Sequence, residues 1–344
     1  MKKFPTQHTR LRALAVASAL LMATTITACG DTNPSDPCVD GDESCNPDDP
    51  CTDGDEGCDP DDPCADGDES CDPDDPCAEG DEGCDPEPQP AQYTVETRTL
   101  MSSGVERTYL LAMPEDIAPD TTLPLVFVLH GDGGSAAGIR SSLGLEAAAD
   151  GNAIFIYPES YGTLFEYYSY AGRERESSFV RNLVTELPEE LPIDTRRVFL
   201  AGFSGGATMA NALACWLGYE VVRGVGIHSG TLYPVKLDPD APVSPQDFIY
   251  EGNGGVTCHL PDAIFVWGKN DNGAGTSFAN GEGTKDNYRY TQGCDESTSP
   301  SAISPCVSYD GCEREVVWCP VEGLSHQIWS SAANAMWTFF SELP

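Results

Sequence analysis

The chain has 344 residues and a formal charge of −38, but the charge is unevenly spread: 24 acidic residues and no Lys or Arg lie between Asp31 and Pro88. The remainder is only moderately acidic, and a surface of this sign repels phosphate backbones, so nucleic acid is not an expected partner. Roughly 255 residues follow the biased stretch, enough to bury one sizeable core.

The N-terminus reads as an export signal over 1–28. Lys2, Lys3, Arg10 and Arg12 form a positive region ahead of the short apolar run Ala13 to Met22, which is too short to span a bilayer. Ile26-Thr27-Ala28-Cys29 resembles a bacterial lipoprotein cleavage box, with Ile where Leu is commoner. The resemblance implies lipidation of Cys29 by several acyl chains and hence a membrane partner through a lipid anchor. Gly30 follows, so the Asp that some bacteria use for inner-membrane retention is absent. The expected location is extracytoplasmic, as an outer-membrane or cell-surface lipoprotein or as a secreted protein.

Residues 29–90 form an acidic linker. Cys38, Cys51, Cys64 and Cys77 recur every 13 residues, interleaved with Cys45, Cys58, Cys71 and Cys84. The units carry no apolar periodicity and cannot bury a core. Eight cysteines in an exported chain read as small closed loops whose connectivity the sequence leaves open. The Asp-rich loops look somewhat like thrombospondin-type calcium repeats, so two readings stand: a self-repelling spacer, or weak calcium binding by the repeats.

From Gln92 the texture changes to that of a domain over 91–344. Tyr93 to Thr99 and Val105 to Ala112 alternate as two strands around Ser102-Ser103-Gly104. Leu125 to His130, Ala153 to Tyr157 and Arg197 to Ala201 are continuous apolar runs, the pattern of parallel strands covered on both faces. Helix-like segments lie at Ala136 to Ala149, Ser178 to Leu187 and Met209 to Leu217. Strand-like runs follow at Val221 to His228, Ala263 to Trp267 and Val316 to Cys319, then a closing helix from Gln327 to Phe340. This alternation predicts a doubly wound, mostly parallel α/β sheet.

Gly202-Phe203-Ser204-Gly205-Gly206 is a G-x-S-x-G between a predicted strand and a predicted helix, the context that gives the pattern meaning. A nucleophilic serine there needs a strained turn, with small residues two places before and after. The Gly205 N–H, at the helix start, then points to where an oxyanion would form. His130-Gly131-Asp132 after an earlier strand offers a second oxyanion donor, the backbone N–H of Asp132. The triad order in α/β-hydrolases is Ser, acid, His. Of five histidines, His8 lies in the signal, His130 precedes Ser204, His228 follows too soon and His259 sits beside Cys258, which leaves His326. The acid is expected just after a strand, at Asp271; Asp262 lies before that strand and Asp286 in a predicted helix.

Residues from about Arg107 onward resemble the esterase family of polyhydroxybutyrate depolymerases and feruloyl or acetylxylan esterases. The carrying segments are RTYLLAMP, LPLVFVLHGDGGSAAG, FVRNLV, IDTRRVFLAGFSGGATMANALAC, WGKND and GLSHQIW. The resemblance implies the α/β-hydrolase fold and places Asp271 at the family's acid position, in W-G-x-x-D. Trp267 stands where the family usually has His, and Trp329 comes one place late in the histidine motif. The resemblance also implies that Cys215 pairs with Cys258 and Cys294 with Cys312, leaving Cys306 and Cys319 for each other. No cofactor or metal is implied.

Substrate cues are few. Tyr161, Phe165, Tyr167, Tyr168 and Tyr170 cluster after the Ala153 strand, where aromatics border a pocket or simply pack the core. Tyr161, Trp267 and Trp329 are the candidate substrate-binding side chains. The expected partner is a polymeric or polysaccharide-linked ester: a polyhydroxybutyrate-type polyester, or feruloyl or acetyl decorations of plant-wall polysaccharide. The alternative is a non-catalytic surface binding or adhesion protein on a calcium-ordered stalk, against which the intact Ser204, His326 and oxyanion loop argue.

Overall fold

A computed structural model describes residues 90–232 and 258–344. The signal segment, Cys29 and the repeat linker up to residue 89 lie outside the described residues. Strand β1 (Tyr93–Ser102) turns into β2 (Val105–Pro114) through Ser103 and Gly104, both at positive φ (51° and 75°). Two successive left-handed residues match the twist of an antiparallel hairpin. The apolar runs become β3 (Leu123–Leu129), β4 (Ile154–Pro158), β5 (Ile193–Phe203), β6 (Gly224–His228), β7 (Asp262–Gly268) and β10 (Val316–Val321). Two short edge strands, β8 (Thr298–Pro300) and β9 (Val307–Tyr309), complete, among the described residues, a ten-stranded sheet of order β1-β2-β4-β3-β5-β6-β7-β10-β9-β8. From β4 through β10 in that order every neighbouring pair is parallel.

Alternation along the buried strands divides the core into two layers. Phe127, Phe265 and Trp267 face α3 (Tyr170–Glu186), α4 (Gly205–Leu217) and α5 (Phe278–Thr291). Val126, Val128, Ile264 and Val266 face α1 (Ala136–Leu143), α2 (Leu145–Ala149) and α6 (Ala332–Glu342).

Several elements differ from expectation, each for a local reason. The first helix is two, because Gly144 sits in the left-handed region (φ 69°) and caps one while opening the other. Helix α3 starts eight residues before Ser178, where the Ser169 side chain accepts the Gly172 N–H. Over its first half the buried face is Gly172, Arg173, Glu176 and Ser177, so apolar periodicity shows only the second half, where Phe179, Val180 and Leu183 are buried. Arg107 reaches Glu176 at 2.9 Å inside this layer, both side chains almost fully buried. Helix α6 starts at Ala332, five residues later than Gln327, because 325–331 form a loop.

Disulfides join Cys215 to Cys258, Cys294 to Cys312 and Cys306 to Cys319. The first ties α4 to the segment entering β7 across a sequence separation of 43. By the loop-entropy relation such a link contributes about 4 kcal/mol through the unfolded chain. Replacing both Cys215 and Cys258 by Ala is therefore expected to lower stability by up to that amount in urea unfolding. An unchanged midpoint would contradict it.

Candidate active site

Four loops at the carboxyl ends of parallel strands converge. Ser204, between β5 and α4, has φ 55° and ψ −122°, a conformation a side-chain-bearing residue adopts only when its surroundings enforce it. The enforcement is visible at the flanking glycines. A Cβ at Gly202 would lie 2.7 Å from Ala207 N, and one at Gly206 would run into the Leu129 carbonyl. Only glycine lets helix α4 start this close to β3 and β5. The Ser204 N–H donates to His228 O at 2.9 Å.

His326, in the loop between β10 and α6, has Nε2 2.9 Å from Ser204 Oγ and Nδ1 2.7 Å from Asp271 Oδ2. Asp271 lies three residues past β7, its side chain fully buried. Its other oxygen, Oδ1, accepts the Gly273 N–H at 3.0 Å and the Thr276 hydroxyl at 3.2 Å. A carboxylate facing Nδ1 assigns the imidazole proton to Nδ1 and leaves Nε2 to accept from the serine hydroxyl. Phe203 lies along the ring of His326, centroids 5.0 Å apart. The acid and histidine loops are also joined directly: Lys269 N–H donates to Val321 O and Asn270 N–H to Leu324 O, both at 2.9 Å.

Behind the serine, a Cβ at Gly131 would come 3.3 Å from Ser204 Cβ, so the loop after β3 backs onto the turn at Ser204. It is braced by Gly133 N–H to Thr163 O at 2.8 Å and Gly134 N–H to Gly131 O at 2.9 Å. Among the described residues neither the Asp132 nor the Gly205 N–H takes an acceptor. The Asp132 carboxylate lies over Gly205, where any Cβ would collide with Oδ1, and its Oδ2 accepts the Tyr167 hydroxyl at 2.7 Å. Burial raises the Tyr167 phenol far above its ordinary pKa, with hydrogen bonds to Tyr168 and Asp132 adding to the shift. It stays a donor. His130 braces the same loop through Gly131 O at 2.8 Å and by accepting the Ser160 N–H at 3.3 Å.

The substrate-binding candidates separate. Trp267 does not border the site, which corrects that expectation. It is fully buried, its indole N–H donates to Thr276 O at 2.7 Å, and Gly281 of α5 lies against its ring. Strand alternation turns it into the α5 layer. Trp329 is half-buried beside the histidine loop, and Tyr161 is 52% exposed with the Arg175 guanidinium 4.8 Å from its ring centroid. Among the described residues no group of three His, Cys, Asp or Glu could hold a metal ion.

His228, which chain order places too close after Ser204 to be its base, lies at the centre of this arrangement. Its ring is fully buried, with Nε2 accepting the Trp329 N–H at 2.9 Å and Nδ1 3.1 Å from Ser229 Oγ. Burial, reinforced by the neighbouring His326, lowers its pKa from 6.5 to about 3. Between those values the unfolded chain binds a proton that folded His228 refuses, so its contribution to stability is whole above pH 6.5 and is lost as pH falls. The slope approaches about 1.4 kcal/mol per pH unit. Urea unfolding from pH 7 to pH 4 should show a shallower fall for His228→Gln than for the wild type; parallel curves would contradict this.

No family model matches the chain. Feruloyl esterase C of Emericella nidulans is 32% identical over 133 residues, covering 37% of this chain and 47% of that protein. The chain thus spans about half the length of this relative. Feruloyl esterase D of Neurospora crassa is 24% identical over 274 residues, 72% of this chain and 85% of that protein. An acetyl xylan esterase from Aspergillus awamori superposes with a TM-score of 0.56 at 19% identity, covering 72% of this chain and 99% of that one. With the strand order and the elbow after β5, this likeness gives the class: the domain has the α/β-hydrolase fold.

Proposed function

We propose that this protein is a carboxylic-ester hydrolase acting through an acyl-enzyme on Ser204. The observation that carries the reading is the unbroken hydrogen-bonded line Ser204 Oγ, His326, Asp271. As Oγ attacks the ester carbonyl, His326 Nε2 takes its proton, and buried Asp271 stabilises the resulting imidazolium. The carbonyl oxygen becomes an oxyanion received by the free N–H groups of Gly205 and Asp132, each donor being worth on the order of 10²–10³ in rate. His326 then protonates the departing alcohol, and water, deprotonated in its turn by His326, releases the acid and regenerates Ser204.

The relatives named feruloyl esterase favour feruloyl esters as substrates; acetyl esters of plant-wall polysaccharide and hydroxyalkanoate polyesters are the other acyl classes. Fluorophosphonate labelling tests the reaction: covalent capture by the wild type is expected, and its absence would overturn the proposal. Methyl ferulate, acetylated xylan and poly-3-hydroxybutyrate, assayed side by side, rank the acyl group. The reading also places the enzyme outside the cytoplasm, with Cys29 lipidated, the paired cysteines of the domain fitting an oxidising compartment. Cys29→Ser should move the protein from the membrane to the soluble fraction at unchanged specific activity. Continued membrane association would remove the anchor.

A further inference from the structure

We infer that His228 is a positioning residue that sets the distance between the nucleophile and its base. Three contacts carry this. The His228 carbonyl accepts the Ser204 N–H at 2.9 Å, which holds the strained elbow from the β6 side. Its ring accepts the Trp329 N–H at 2.9 Å, three residues beyond His326. Phe203 stands edge-on to the His228 ring with centroids 5.2 Å apart, while the same phenyl lies along His326 at 5.0 Å. One residue therefore touches the serine backbone, the histidine loop and the aromatic ring that packs on His326.

The histidine loop needs such a tie. Before His326 it is fastened to the acid loop through Val321 O and Leu324 O. After His326, among the described residues, the Trp329–His228 bond is the one hydrogen bond that reaches the sheet before α6 begins. Without it the segment after His326 loses its hydrogen bond to the sheet, and the ring is left to Phe203, to the anchor before it and to its own bonds with Asp271 and Ser204, the last of which change during attack.

The chemistry also fixes the tautomer. A backbone N–H only donates, so Nε2 of His228 is the bare acceptor and Nδ1 carries the proton, donated to Ser229 Oγ 3.1 Å away. Protonating Nε2 would break the tie. Burial lowers the pKa of the His228 ring to about 3, which keeps Nε2 bare and the tie in place well above that value. A misplacement of about 1 Å costs on the order of 10²-fold in rate without altering how substrate binds.

The inference rests on the proposed reaction of Ser204, and its test has an arm independent of activity. In ¹⁵N-histidine-labelled full-length chain, two-bond ¹H–¹⁵N correlations should give His228 as the Nδ1-protonated tautomer from pH 5 to pH 8. An Nε2-protonated ring would overturn the inference even if His228→Leu failed to fold. Kinetics form the second arm, with p-nitrophenyl acetate as probe. His228→Leu, which fills the space without an acceptor, should lower kcat about 100-fold and leave KM within about 3-fold. His228→Gln, whose Oε1 reaches the acceptor position, should restore kcat to within about tenfold of the wild type. A Gln variant no better than Leu, or a loss carried by KM, would show that the ring only fills space. If wild-type chain fails to react with fluorophosphonate, the esterase reading falls, while the tautomer result stands by itself.

Discussion

Ser204→Ala is expected to lower kcat on a p-nitrophenyl ester on the order of 10⁶-fold and to abolish fluorophosphonate labelling. The size follows from what is removed. Without Oγ there is no nucleophile, and His326 has no proton to take; the residual rate comes from the oxyanion donors and binding alone. The fold should survive. The main-chain bonds of the elbow, Ser204 N–H to His228 O and Thr208 N–H to Ser204 O, do not involve the side-chain oxygen. The Cβ that packs near Gly131 is kept. Alanine tolerates a φ of 55° no better and no worse than serine, so the strain is unchanged. One hydrogen bond is lost, a change of about 1 kcal/mol. Circular dichroism and thermal unfolding should therefore nearly overlay the wild type. Turnover near wild-type rate in this variant would remove Ser204 from the mechanism.

What the sequence revealed and what it hid have physical causes. The parallel strands were legible because both of their faces are buried, which writes them as continuous apolar runs such as Leu125 to Leu129. The elbow was legible because its glycines answer a steric demand that the contacts at Gly202 and Gly206 express. Helix α3 was half hidden because the inner face of its first half solves burial with an ion pair, Arg107 to Glu176, and apolar side chains line only the second half. The short edge strands β8 and β9, three residues each, hold too few side chains to show a period.

Side-chain direction was the other blind spot. Trp267 stands four residues before Asp271, a spacing that suggests it borders the site, but a strand turns successive residues to opposite faces, and Trp267 points into α5. Chain order does not reveal His228, because it finds the residue that can reach Oγ but says nothing of one that acts through a backbone N–H. Gly268 carried a signal that could be read only with the fold in hand. A Cβ there would strike the Leu324 carbonyl, so the residue after Trp267 must be glycine for the acid and histidine loops to meet.

The acid is where geometry makes the sharpest expectation. Asp271→Asn should cut kcat about 10⁴-fold while KM and melting temperature change little. The two ends of the asparagine amide are not equivalent in this pocket. The position of Oδ1 faces the Gly273 N–H at 3.0 Å, a group that can only donate, so the amide oxygen must settle there. The Thr276 hydroxyl, 3.2 Å away, can still donate to it. The amide NH₂ is then left in the place of Oδ2, 2.7 Å from His326 Nδ1, as a donor. His326 must answer by accepting at Nδ1 and carrying its proton on Nε2, where the serine proton should arrive. The ring keeps its place and every buried polar atom keeps a partner, so the loss falls on proton transfer and not on folding. The comparison residue is Asp286 on α5, whose carboxylate lies 2.8 Å from Lys285 and 3.2 Å from Arg289. Asp286→Asn should leave kcat within about 3-fold of the wild type, as removal of a partly exposed ion-pair partner away from the reacting groups does. Wild-type turnover in Asp271→Asn together with an inactive Asp286→Asn would reverse the assignment of the acid.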